Sequence, residues 1–112
     1  MITIEGLKTY GANVEEGLGR CMNQEAFYLK LVGKMLQDEA FEQLRSAVAE
    51  NDLDAAFEAA HRLKGALANL ALTPILVPVS EMVELLRSRT ETDYTPYLET
   101  IEEKKKQLEE MV

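Results

Sequence analysis

Asp52-Leu53-Asp54-Ala55-Ala56-Phe57-Glu58-Ala59-Ala60-His61-Arg62-Leu63-Lys64-Gly65-Ala66-Leu67-Ala68-Asn69-Leu70 is the stretch on which the fold turns. Leu53, Ala56, Ala60, Leu63, Leu67 and Leu70 recur in alternating steps of three and four residues. That period belongs to one narrow face of an α-helix, and a face so narrow is a packing seam against other helices. Asn51-Asp52 supplies a stop for the preceding segment and a cap for this one. The predicted helix runs from about Asp52 to Ala71.

The flanking segments repeat the pattern. Asn13 caps a short N-terminal helix, with Glu16 three residues on as in a capping box. Asn23 is expected to cap the next helix. Phe27, Leu31 and Met35 then recur every four residues, and Phe41, Leu44 and Val48 continue to about Glu50. The phase slips near Gln37-Asp38-Glu39, so this stretch is one bent helix or two. Beyond the seam helix, Thr73-Pro74 and Thr95-Pro96 each read as cap plus first helical position. Pro78 either kinks the helix carrying Met82, Val83, Leu85 and Leu86 or delays its start to Val79. Tyr97, Leu98, Ile101, Leu108 and Val112 give the last helix an apolar side. The expected fold is all-α: an antiparallel four-helix bundle with a short extra N-terminal helix, one domain over residues 1–112.

Composition narrows the function. Hydrophobic residues make up 46% of the chain, enough for a core without staples, and Ala, Leu, Glu and Lys favour helices. A net charge of −8 repels phosphate backbones, which argues against nucleic-acid binding. The one basic run, Lys104-Lys105-Lys106, lies among glutamates. Cys21 is alone, so it is expected to be a small buried hydrophobe, with no disulfide and no cysteine-rich zinc site. No basic segment leads into an apolar one at the N-terminus. The stretch from Gly65 to Val79 is too short and too interrupted to span a bilayer. These features lead us to expect a soluble, cytoplasmic domain that does not act at a membrane.

His61 is the only histidine. On a helical wheel it sits roughly 130° from the centre of the seam, so its ring should face outward. Its angular neighbours are Asp54, Phe57, Glu58, Lys64, Gly65, Ala68 and Leu72. Gly65 costs a helix interior about 1 kcal/mol relative to Ala, so something should offset it. Either it opens space beside the imidazole or it admits a neighbouring helix. Lys64 could neutralise a phosphoryl group on the ring, or could be an ordinary exposed lysine. Phe57, Ala68 and Leu72 would form an apolar flank suited to docking, unless Phe57 folds down onto the second helix.

The run from His61 to Leu70 resembles the phosphoacceptor motif of histidine-containing phosphotransfer (HPt) domains, whose pattern is roughly His-x-Leu-Lys-Gly followed by small residues and a closing Leu/Ile-Gly. Asn51-Asp52 resembles the turn before that helix, and Phe27-Leu31-Met35 resembles the preceding helix. Leu67, Ala71 and Pro78 depart from the family pattern. The resemblance implies that His61 is phosphorylated, that Lys64 assists the phosphoryl group and that Gly65 keeps the site open. It implies receiver domains of response regulators, a hybrid histidine kinase, or both, as partners. Docking would fall to Phe57, Arg62, Ala68, Leu72 and Met35. No cofactor is expected on this chain, and Mg²⁺ would be held by the receiver. No glycine-rich nucleotide loop is present, so autonomous kinase activity is not expected. Two other readings remain open: a helical protein-binding module without chemistry, and a metal or acid–base site built from His61, Asp54 and Glu58.

Overall fold

Asp52 starts the central helix through its side chain, which accepts the Ala55 backbone N–H at 3.0 Å. Asn51, just before it, takes φ 55°, the left-handed turn that closes the preceding helix. The computed structural model describes residues 1–112, and around this helix it sets six others. In order they are α1 (Ile4–Tyr10), α2 (Val14–Arg20), α3 (Glu25–Met35), α4 (Ala40–Ala49), α5 (Leu53–Asn69), α6 (Thr73–Arg87) and α7 (Thr95–Glu109). No strand is present, so the all-α expectation holds.

Helix α5 packs against both α4 and α6, and α6 packs against α7. Lys105 of α7 closes the ring, its ammonium 5.1 Å above the Phe41 ring of α4. Helices α4–α7 thus form the four-helix bundle. The seam behaves as its spacing requires. Ala56, Ala60, Leu63, Leu67 and Leu70 are buried, in one core with Phe41, Leu44, Val79, Met82, Val83, Leu86, Ile101 and Leu108. Each fully buried leucine contributes about 1.5–3 kcal/mol relative to exposure. Leu67, where the resembling family has a small residue, is fully buried in this core. Cys21 is buried as expected.

The N-terminal region differs from expectation in three ways. Two short helices precede α3 rather than one. Thr3 caps α1 by accepting the Gly6 N–H, and Gly11 ends it at φ 110°. With only Leu7 fully buried on α1, the sequence offers no periodicity to read. Asn13 caps α2 as expected, exchanging hydrogen bonds with the Glu16 N–H and carboxylate. Asn23, by contrast, is no cap: it and Met22 both have positive φ, and Gln24 holds the cap position of α3. Third, the inward row of α3 is Tyr28, Val32 and Met35, whereas Phe27 remains 44% exposed. The rows are adjacent on the helix, and Tyr28 decides between them. Its hydroxyl donates to the Leu70 carbonyl at 2.8 Å, which draws the ring into the core.

The phase slip resolves as two helices, α3 and α4, with the Asp38 carboxylate accepting the Ala40 N–H at the join. Thr73 and Thr95 are the first residues of their helices rather than caps; Leu72 and Tyr94 hold the cap positions. Pro78 lies inside an α6 that continues through it, so that helix does not wait for Val79. Between α5 and α6, Ala71 takes φ 56°, where the resembling family has glycine. No helix is long and apolar enough to cross a membrane.

Candidate functional site: the outer face of the central helix

His61 is exposed on the wall of α5 opposite the seam. The cause is local: Ala60 and Leu63 are fixed in the core, and 100° per residue then carries position 61 outward. One turn earlier on the same face, Phe57 lies against the imidazole, with ring centroids 5.6 Å apart and planes tilted by 36°. Phe57 is half-buried and turns toward α6, where the Arg87 guanidinium lies 5.3 Å from its ring centre. It does not fold onto the second helix. No hydrogen bond or ion pair ties the imidazole to a neighbouring acid, and no side-chain polar atom is buried without a partner.

Gly65 has free space above its Cα. A Cβ built at this position meets nothing within 4 Å. No neighbouring helix uses the gap, so the glycine leaves open space one turn from His61. Lys64 is partly exposed and directs its ammonium across to α6, where Nζ lies 3.9 Å from Oε1 of Glu84. Glu84 also meets Arg87, at 3.4 Å.

The expected docking set is only partly assembled. Arg62 is exposed beside His61 and pairs with Asp38 at 3.3 Å. Ala68 is half-buried, and its carbonyl accepts the Arg20 guanidinium from α2. Leu72 is a correction. It is fully buried, because α5 ends at Asn69 and the turn at Ala71 sends the chain back into the core. A wheel extended past that turn no longer describes the chain. Met35 is also buried, in the floor of a groove of about 520 Å³ between α3 and α5. Leu31, Lys34, Arg62 and Ala66 line the same groove.

Asp54 is engaged by Arg89, and no group of three or more His, Cys, Asp or Glu side chains is placed to hold an ion. Sequence reasoning did not find Glu84 and Arg87. They are an ordinary i, i+3 pair on α6, and only helix packing brings them to the His61 face.

Fold and site together define a helical bundle that presents a single imidazole on the outer wall of its central helix. The chain belongs to the Hpt domain family, whose model matches residues 35–112 and so includes α4 to α7 with His61, Lys64 and Gly65. No curated protein and no solved structure matches it. Hpt domains are histidine phosphotransfer modules of two-component phosphorelays, phosphocarriers rather than kinases, and they interact with receiver domains and histidine kinases.

Proposed function

We propose that this domain relays a phosphoryl group between aspartates of receiver domains, with His61 as the phosphoacceptor. One observation carries the reading: the chain's only imidazole is exposed on the family-matched central helix, with open space at Gly65 on its flank.

In the first transfer, the Nε2 lone pair of His61 attacks the phosphorus of an aspartyl phosphate. The N–P bond forms as the acyl O–P bond breaks, and that bond's electron pair leaves with the aspartate carboxylate. Nδ1 keeps its proton, so the product ring is an N-phosphorylated imidazolium. Attack by an aspartate of a second receiver reverses these bond changes. Dividing one transfer into two nucleophilic steps is covalent catalysis. Positioning and charge neutralisation dominate phosphoryl transfer, and the receiver supplies the in-line geometry and its Mg²⁺. This chain contributes the nucleophile, the Lys64 ammonium to offset phosphoryl charge, the gap at Gly65 and a docking face. That face includes Phe57, Arg62 and the groove containing Met35. A hybrid histidine kinase is the other partner class.

The test is a panel of phosphorylated receiver domains incubated with the protein and scored for acid-labile, base-stable label. Wild-type protein takes up label; His61→Gln takes up none and keeps its helical circular dichroism, since the ring is outside the core. Label persisting in that variant overturns the assignment. Lys64→Ala slows transfer or shortens the lifetime of the phosphoprotein.

A further inference from the structure

Glu84 joins two cations on the Phe57 side of the His61 face, Lys64 and Arg87. Its two carboxylate oxygens are divided between helices: Oε1 lies 3.9 Å from Lys64 Nζ on α5, and Oε2 lies 3.4 Å from Arg87 Nε on its own α6. Arg87 in turn rests on Phe57, and Phe57 rests on His61. The unphosphorylated protein thus sets an anion between Lys64, one turn from His61 on α5, and Arg87, which reaches the imidazole through Phe57. A phosphoryl group on His61 brings a stronger, multiply charged anion to the same neighbourhood.

We infer that Glu84 is a positioning residue that acts through Lys64. It holds the ammonium on the α6 side while His61 is unmodified, and competes with the phosphoryl group for it afterwards. The inference rests on the phosphoacceptor reading of His61 and adds a control on the lifetime of the phosphorylated form. The pair is loose and open, with side chains 38% and 63% exposed, so the competition is mild and labile. That suits a residue that must release its partner. A tight buried pair would withhold Lys64 altogether, because breaking such a pair is strongly unfavourable. The geometry also separates two roles of negative charge. A carboxylate that merely repels the phosphoryl group would act whether or not Lys64 is present. One that withholds the ammonium acts only through it.

The experiment is a double-mutant cycle on the full chain, phosphorylated with phosphoramidate so that no receiver is needed. Glu84→Gln should lengthen the phosphohistidine half-life about twofold to fivefold, the range open to an exposed ion pair. In a Lys64→Ala background, the same substitution should leave the half-life unchanged. In the unphosphorylated protein, Glu84→Gln should also shift the Lys64 ammonium resonance. Glu84 is exposed, so both variants should melt with wild-type cooperativity. An unchanged half-life in Glu84→Gln overturns the proposal, as does an equal lengthening in both backgrounds. A static ammonium resonance overturns it as well. If receivers fail to label His61 while the resonance shifts and the cycle behaves as stated, the relay reading falls and the Glu84–Lys64 competition stands.

Discussion

The Phe57 ring backs the His61 imidazole at 5.6 Å between centroids, one helical turn apart on α5. That contact gives an exposed histidine a preferred direction without burying it. It also links the reactive ring to α6 through Arg87. Aromatic contacts of this kind are worth about 0.5–1.5 kcal/mol beyond their area.

Replacing Phe57 by leucine should therefore separate orientation from burial. Leucine keeps most of the apolar cover but has no ring face for the imidazole or the guanidinium. Transfer from a phosphorylated receiver should slow by about threefold to tenfold, since about 1.4 kcal/mol of barrier is tenfold in rate. The melting temperature should fall by only a few degrees. Single-turnover kinetics measure the first quantity and thermal denaturation the second. A normal rate would remove Phe57 from the site.

Gly65 should respond in opposite ways to small and large side chains. A methyl group meets nothing there, and alanine is favoured over glycine inside a helix by about 1 kcal/mol. Gly65→Ala should therefore raise the urea midpoint. Gly65→Leu should fold as well but obstruct the approach to His61, so label uptake falls sharply. Loss of stability in the alanine variant would mean that the helix is not open at this point.

The groove between α3 and α5 predicts a difference between donors. Ala66 lines it, partly exposed, next to Gly65. Ala66→Leu should fill part of the groove and slow transfer from a receiver protein by an order of magnitude, about 1.4 kcal/mol of lost contact. Phosphorylation by phosphoramidate, which needs no docking, should proceed at the wild-type rate. Equal slowing with both donors would place the defect in the chemistry. Equal rates with both would take the groove out of the docking face.

Alkaline pH should destabilise the fold. Burial holds the Tyr10 phenol well above its ordinary range, and burial likewise raises Tyr28 and Tyr94, with Cys21 and Tyr97 respectively adding to the effect. In each case the folded protein keeps its proton where the unfolded chain has lost it. This contribution is complete below the unfolded value of about 10 and is lost as pH rises toward and through the raised folded values. Urea midpoints should thus hold between pH 7 and 9 and decline above 10. Tyr10→Phe should flatten the decline. At neutral pH it should cost about 0.5–1.5 kcal/mol, through loss of the hydroxyl donation to the Lys104 carbonyl.

What the chain makes legible is mostly local. The α5 seam, the Asn51-Asp52 break and the starts near Thr73 and Thr95 are visible because capping and helical period act within a few residues. The outward direction of His61 follows from the same period once the seam is fixed. The choice between the Phe27 and Tyr28 rows of α3 was not visible, because it depends on a hydrogen bond to Leu70, far along the chain. Leu72 fails for a related reason: a wheel describes one helix, and the backbone leaves that helix before residue 72.

Sequence by itself determined that this is a helical bundle with one histidine turned away from its core, since periodicity and capping are properties of neighbouring residues. Tertiary structure alone decided that Gly65 opens onto space, that Phe57 beside His61 is covered by Arg87 of α6, and that Lys64 answers to Glu84. Those facts depend on which face of α6 meets α5, and that is set by the summed packing of the whole core rather than by any single segment.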